Sequence, residues 1–380
     1  MNGGFMRYAT IMAGGAGTRL WPMSRAGEPK QLIRFIHGRG QDPQAGPASL
    51  IQLAASRLDG LVDESRCTIC TGERFRDAVL KAVPGMTGDR ILGEPEGRDT
   101  LNAVGFAAAV FGKDDPDAVF AVLTADHLIE PADVFAEAMD AGFRIVEDDP
   151  TKLVTFGITP TYAATGFGYV ERGNPLHVEG VRDGLSFRVQ RFVEKPPPHK
   201  AQAFFESGEF FWNAGMFVFN AATVLDLLGR HKPKTLEGLL RIREAWGTDG
   251  QQRVLAEVYP TLEKISVDYG MMEPASTDAG VSIAGVRMDV EWLDVGSWPS
   301  YGETLEPDAQ GNRVAGTALI AHDARNNVVV GPGAGDEHQV ALLGCEGLIV
   351  VRTPEATLVM PADRAQDLKA LHTLVPDGLK

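Results

Sequence analysis

The first 150 residues alternate short apolar runs with segments of helical spacing, and this alternation limits the possible folds more than any other feature of the chain. Residues 8–12, 67–70, 90–93 and 118–123 read as strands. Residues 49–58, 74–83, 100–111 and 132–146 repeat apolar side chains every three or four positions and read as helices. Strands and helices taken in turn predict βαβ units in an α/β, Rossmann-like domain with a mostly parallel mixed sheet. Ligands of such sheets bind beyond the carboxyl ends of the strands, so the loops that follow strands are where chemistry is expected.

The middle of the chain is mixed, with strands expected at 153–158, 187–193 and 217–219 and helices at 200–206, 221–228 and 234–246. The pattern changes near residues 307–311. Short β runs then follow at 317–321, 327–330, 339–343, 348–352 and 357–360, separated by Gly and Pro. They predict a small all-β domain, a few coils of a β-helix or a compact roll, closed by a helix over 363–374. The expected division is a large domain over 1–310 and a small one over 311–380, which suits a chain of 380 residues.

The chain carries 36 basic and 51 acidic residues, a formal net charge of -15. Such a surplus disfavours general nucleic-acid or membrane-surface binding, but a few focused Lys and Arg can still hold phosphates. Three cysteines do not make a disulfide framework. Cys67 and Cys70 form a C-x-x-C within a strand-like run, with no second pair at zinc-ligand spacing, and buried strand thiols are expected there. No apolar run approaches the roughly 20 residues needed to span a bilayer, and residues 1–7 have no apolar core of a secretory signal. The expectation is a soluble, cytoplasmic enzyme.

The strongest local signal is GGAGTRLWP at 14–22, directly after the first strand. Gly14, Gly15 and Gly17 let backbone N–H groups approach a phosphate, Thr18 adds a hydroxyl, and Arg19 can grip phosphate oxygens in pairs. Lys30 adds a second cation. The segment lacks the Gly-Lys-Ser/Thr of a P-loop, and Leu20 stands where a dinucleotide fingerprint needs its third Gly. The plainer reading is a tight strand-to-helix turn.

Five further segments carry polar residues at strand ends or in loops. Asp126 follows a buried strand in LTADH and suits Mg²⁺, or caps a helix; His127 beside it reads as structural. Asp294 lies among apolar residues in WLDVGSW and needs a partner or a metal, unless it or Ser297 is a helix cap. Glu194 and Lys195 in FVEKP could hold a sugar and a phosphate, or be an exposed ion pair. Gly166 and Gly168 in TGFGY would let backbone approach a sugar, or make an ordinary turn. Asn213 in FWNAGM offers both a donor and acceptors, or caps a turn. No Ser-His-Asp or Cys-His spacing is present. A reaction that starts from an anionic phosphate nucleophile needs none, because alignment and charge neutralisation suffice.

Taken in order, these segments resemble the mannose-1-phosphate guanylyltransferases (GDP-mannose pyrophosphorylases), over about residues 8–360. The resemblance rests on GGAGTRLWPMSR, EPKQL, GEPEGRDT, LTADH, TFGITPTYAATGFGY, FVEKP, WNAGMFVF, SVDYGMMEP and WLDVGSW. Trp21-Pro22 and Pro29-Lys30-Gln31 are closer to the guanylyl branch than to the thymidylyl or adenylyl branches. The resemblance implies that Gly14–Arg19 hold the GTP phosphates, with Arg19 on the leaving pyrophosphate and Lys30 stabilising charge at the α-phosphorus. Asp126 and Asp294 would bind Mg²⁺. Glu194, Asn213 and Gly166–Gly168 would bind the sugar, Lys195 its phosphate, and Glu94 and Arg98 would lie near the nucleotide.

Two departures stand out. The family commonly reads Arg-Asn-Thr-Ala-Pro where this chain has Arg98-Asp-Thr-Leu-Asn102, and Pro-Ala-Asp-His where it has Thr124 in place of Pro. The expected reaction joins GTP and mannose 1-phosphate into GDP-mannose and pyrophosphate. The alternatives are another sugar 1-phosphate or nucleotide, or a silent regulator that binds nucleotide-sugars. Long bacterial relatives carry an isomerase domain, and a single activity is expected for this chain. A homodimer assembled through the C-terminal β domain is also expected.

Overall fold

The computed structural model describes residues 5–15, 17–25, 27, 29–36, 48–278, 280–333 and 338–380. Ala16 and Glu28, each part of a motif quoted above, lie outside the described residues. The first part of the chain runs β1 (Arg7–Met12), β2 (Arg34–Ile36), β3 (Ala48–Ser49), α1 (Leu50–Ser56), β4 (Cys67–Gly72), α2 (Arg76–Ala82), β5 (Ile91–Glu94), α3 (Thr100–Asp114), β6 (Val119–Thr124), β7 (His127–Glu130) and α4 (Ala132–Asp148). Next come β8 (Lys152–Ile158), β9 (Tyr169–Pro175), β10 (Ser186–Val193), α5 (Pro198–Ser207), β11 (Phe210–Asn220), α6 (Ala221–His231), α7 (Pro233–Ala245) and α8 (Gln251–Val258). A π-helical turn (Asp268–Met272), α9 (Glu273–Thr277), β12 (Ser282–Arg287), β13 (Glu291–Asp294) and α10 (Trp298–Glu303) follow. The last part holds β14 (Arg313–Ala315), β15 (Ala318–His322), β16 (Val328–Val330), β17 (Gln339–Leu343), β18 (Leu348–Arg352), β19 (Thr357–Pro361) and α11 (Leu368–Leu374).

Nine strands form the main sheet in the order β5-β4-β1-β6-β11-β8-β12-β10-β9. Its first four strands are parallel, and their apolar runs are covered on both faces, as parallel strands require. The expected mostly parallel character ends there. β11 runs antiparallel to β6 and β8, and β10 runs antiparallel to β9 and β12, leaving β8–β12 as the remaining parallel pair. The reason lies in the connection: β9 and β10 follow each other without a helical crossover, and strands joined directly pair antiparallel. Cys67 and Cys70 are buried free thiols in β4, as expected.

In the C-terminal part, β14, β16 and β18 stack in parallel register, with Val314 opposite Val329 and Val329 opposite Val350. β15 and β17 make a second parallel pair. Fully buried Asn312 and Asn327 hold the coils together. Asn327 Nδ2 donates to Asn312 Oδ1 at 2.9 Å, and Leu348 N donates to Asn327 Oδ1 at 2.9 Å, so the buried amides serve turns of successive coils. This small domain shares a core with the glycine-rich loop. Leu20 and Trp21 pack in one apolar cluster with Trp298, Tyr301, Val328, Ile349 and Leu368.

Candidate active site

The glycine-rich loop leaves the carboxyl end of β1, an inner strand of the parallel half. Gly15 and Gly17 take φ of 94° and 62°, a left-handed backbone that favours glycine. Gly17 also has no room for a side chain, since a Cβ there would fall 2.6 Å from Ser24 Oγ and 2.9 Å from Lys30 Cβ. Gly14 and Gly15 face open space. Gln31 Nε2 donates to the Gly14 carbonyl, which ties the loop to the turn that carries Lys30. Thr18 and Arg19 open a single 3₁₀ turn, Thr18–Leu20.

Lys30 is buried, and its Nζ lies 2.7 Å from Asp126 Oδ2. Burial works against the Asp126 charge, but the Lys30 ammonium outweighs it and holds that carboxyl below the usual aspartate value. Asp126 does not cap a helix: the short strand β7 follows it, paired antiparallel with β13 so that Asp294 stands opposite His127. Capping of α10 falls to Ser297, whose side chain accepts from Ser300 N, and this leaves Asp294 free for another role. Asp294 Oδ1 is buried and has no hydrogen-bond partner. An orphaned carboxylate oxygen is costly unless something charged meets it. Ligand atoms of Asp126, His127 and Asp294 all lie within 4.8 Å of one another. Two carboxylates are the donor set of a hard divalent cation, so the residues fit one. Arg19 reaches the same place, because a Cβ on Gly296 would lie 3.1 Å from Asp294 Oδ1 and 3.2 Å from an Arg19 guanidinium nitrogen.

His127 is anchored rather than open. Its Nδ1 lies 2.6 Å from Thr124 Oγ1 and receives the Trp292 indole N–H at 3.3 Å. Burial pushes its pKa down despite the neighbouring Asp126 and Asp294, so the ring is neutral at neutral pH. The departure at Thr124 thus supplies a hydroxyl to this ring.

A second cluster gathers the sugar-site candidates. Asn213 N donates to the Gly168 carbonyl at 2.8 Å. A Cβ on Gly168 would fall 2.6 Å from Glu194 Oε2 and 3.3 Å from Asn213 Cβ, so this glycine is a close approach and not an ordinary turn. Glu194 is buried while Lys195, its ion-pair partner, is exposed. Gly166 is open to space. Gly215, two residues beyond Asn213, faces Thr124 at the end of β6 and so joins this cluster to the Asp126 end. Phe167 packs edge-on against Trp212 and Trp292, at 5.3 and 4.9 Å between ring centroids, which couples the TGFGY loop to the strand carrying Asp294.

The remaining pair is differently engaged. Glu94 ends β5 on the same edge as the glycine-rich loop, but its buried carboxylate accepts the Tyr259 hydroxyl at 2.7 Å. Burial raises its pKa. Arg98 pairs with Glu96 at 3.2 Å and keeps a buried Nε without a partner. Asn102, in the other departure, donates to the Arg98 and Glu263 carbonyls at 2.6 and 2.8 Å. The sequence motifs singled out neither Tyr259 nor Asp268. Asp268 lies within the quoted SVDYGMMEP, but nothing in the spacing of that segment marks it.

Two family models cover the chain: a nucleotidyl transferase model over residues 8–311, and a mannose-phosphate isomerase/GMP-like β-helix model over 318–372. The chain is 37% identical to a mannose-1-phosphate guanylyltransferase of Klebsiella pneumoniae, over 96% of its own length and 73% of that protein's. This chain belongs to the mannose-1-phosphate guanylyltransferase family. The xanthan biosynthesis protein XanB of Xanthomonas campestris is 34% identical over 94% of the chain and 71% of its own length. Among solved structures, a mannose-1-phosphate geranyltransferase of Thermus thermophilus matches with a TM-score of 0.80 and 30% identity, over 97% of this chain and 99% of that one. The fold is therefore that of the guanylyltransferase family, a nucleotidyltransferase domain followed by a β-helix domain.

Proposed function

We propose that the chain transfers GMP from GTP to mannose 1-phosphate, forming GDP-mannose and releasing pyrophosphate. A phosphate oxygen of mannose 1-phosphate attacks the α-phosphorus of GTP. The new P–O bond joins the two phosphates, and the α–β bridging P–O bond breaks to free pyrophosphate. The observation that carries this reading is the convergence of Lys30, Arg19, Asp126 and Asp294 at the mouth of the glycine-rich loop.

In this reading Gly14, Gly15, Gly17 and Thr18 hold the triphosphate through the loop backbone and a hydroxyl. Arg19 takes up charge on the departing pyrophosphate. Lys30 stabilises charge at the α-phosphoryl group and exchanges its contact with Asp126 for the nucleotide. Asp126 and Asp294 would hold Mg²⁺, which when bound supplies neutralisation of phosphate charge. Glu94 and Arg98 would lie near the nucleotide. Gly166, Gly168, Glu194 and Asn213 receive the sugar, and Lys195 its phosphate.

The test is pyrophosphate release with Mg²⁺, pairing GTP, ATP, UTP and dTTP with mannose, glucose and glucosamine 1-phosphates. A signal confined to GTP with mannose 1-phosphate supports the reading, and a clear preference for another pair overturns it. Binding of GDP-mannose without turnover of any pair would make the protein a regulator.

The chain divides near residue 310 into a catalytic domain and a C-terminal β domain with its closing helix. Two copies associate through that β domain, where Ile320, Leu343 and Val359 are 56%, 74% and 60% exposed; a monomeric mass in solution scattering at micromolar concentration would refute the dimer. The protein works in the cytoplasm, which fits the supply of its substrates. Among the described residues no helix is long and apolar enough to cross a membrane.

A further inference from the structure

Asp268 has no role in the reaction as described so far, yet its carboxylate lies among the sugar-site side chains. It opens the π-helical turn Asp268–Met272, and single π turns are frequent at functional sites. Its Oδ1 accepts a hydrogen bond from Asn213 Nδ2 at 3.0 Å. The orientation of that amide is fixed independently. Gly215 N, which can only donate, points at Asn213 Oδ1 from 3.2 Å, and Thr155 Oγ1 donates to the same oxygen at 2.7 Å. Asn213 therefore turns its NH₂ toward Asp268, and with two N–H groups it keeps one beyond that bond.

Glu194 bounds the same space, beneath Gly168. Both carboxylates thus border the space beside Gly168 and the Asn213 amide, where Lys195 is paired to Glu194. Facing carboxylates repel unless hydrogen-bond donors come between them. A pyranose brings several hydroxyl donors and no charge on its ring, so it suits this volume better than a second phosphate does.

We infer that Asp268 is a second sugar-binding carboxylate, set across from Glu194, which accepts one ring hydroxyl and so helps select the hydroxyl pattern of the sugar 1-phosphate. This rests on reading the Gly168–Glu194–Asn213 cluster as the sugar subsite. Burial, with Glu194 adding to it, pushes Asp268 up to about 7, against the pull of Lys195 and the Asn213 amide. Leu101 of α3 packs against the turn at Gly270 and brings no charge there. A hydroxyl donated to the carboxylate favours its ionised form, so sugar affinity rises as pH passes through this range.

The experiment measures KM for mannose 1-phosphate, for its 2-, 3-, 4- and 6-deoxy analogues and for GTP, with the parent, Asp268→Asn and Glu194→Gln, between pH 6 and 8. Asp268→Asn is expected to raise the sugar KM roughly tenfold at the upper pH, the size of one hydrogen bond to a charged group, and to leave the GTP KM within about twofold. One deoxy analogue should lose affinity in the parent and lose none further in the Asn variant. The sugar phosphate's own ionisation near about 6 affects both proteins alike, so the difference between their pH profiles belongs to Asp268. If every analogue loses the same factor in both proteins, Asp268 only positions Asn213 and the inference fails. If Glu194→Gln also leaves the sugar KM unchanged, the sugar subsite itself is misplaced and both readings fall.

Discussion

Lys30 Nζ and Asp126 Oδ2 stand 2.7 Å apart, although 96 residues separate them in the chain. The contact joins the turn after the glycine-rich loop to the carboxyl end of β6, and it keeps a buried ammonium beside the carboxylate expected to hold metal. A lysine so placed is already desolvated before nucleotide arrives, one part of the preorganisation that electrostatic stabilisation of a transition state requires. Lys30→Met is expected to lower kcat by about a hundredfold or more, with a smaller change in the KM for mannose 1-phosphate. Steady-state kinetics on a variant shown to be folded by circular dichroism decides it. A kcat within threefold of the parent would remove Lys30 from the chemistry.

Asp294 gives a second outcome. Its Oδ1 is buried and unpartnered, so the residue costs stability as it stands and contributes only when a cation meets it. Asp294→Ala should cut turnover at least about a hundredfold, since charge neutralisation contributes several kcal/mol to such steps, while thermal stability without added metal holds or rises. Near-normal turnover at saturating Mg²⁺ would rule out the metal role.

Gly17→Ala probes the loop itself. The new methyl would meet Ser24 Oγ and Lys30 Cβ at 2.6 and 2.9 Å, in a backbone with φ of 62°. The loop must shift and carry Lys30 with it. The expected result is a loss of kcat/KM for GTP of about tenfold or more, as misplacement of a positioning group by about an ångström produces. A kcat/KM for GTP within threefold of the parent would show that the loop tolerates the added methyl without moving Lys30.

The α/β half of the fold was legible because its strands are buried on both faces and its helices are amphipathic. The run at 217–219 extended to the eleven residues of β11, since Phe210–Met216 follows no simple alternation around the positive-φ Gly215. The antiparallel strands were harder to see. β7 and β13 are four residues each, too short for a period to register. In the site, the glycine-rich loop, Asp126, Asp294, Glu194 and Asn213 could be picked out because each sits at the end of an apolar run. Asp268 could not, because a π-helical turn has no sequence period of its own and the setting of this carboxylate depends on Asn213, 55 residues earlier. Glu94 lies at the end of the strand expected at 90–93, but its pairing with Tyr259, 165 residues away, is a tertiary contact that no local pattern encodes.

Leu368 tests whether the β-helix domain supports catalysis or merely follows it in the chain. It is 2% exposed at the start of α11 and belongs to the apolar cluster that contains Leu20 and Trp21 of the glycine-rich loop. The Trp21 indole N–H also donates to the Leu379 carbonyl at 2.8 Å, and Gln366 meets Arg19 at 3.4 Å. The glycine-rich loop is thus backed by the C-terminal end of the chain as much as by β1. Leu368→Ala removes about 2–5 kcal/mol of packing, and the cavity opens in the cluster that holds Leu20 and Trp21. Lower thermal stability is expected together with a rise in the KM for GTP at temperatures where the variant is still folded, and no change in the KM for mannose 1-phosphate. A variant that melts earlier but keeps the parental KM for GTP would show that the C-terminal domain stabilises the fold without shaping the glycine-rich loop.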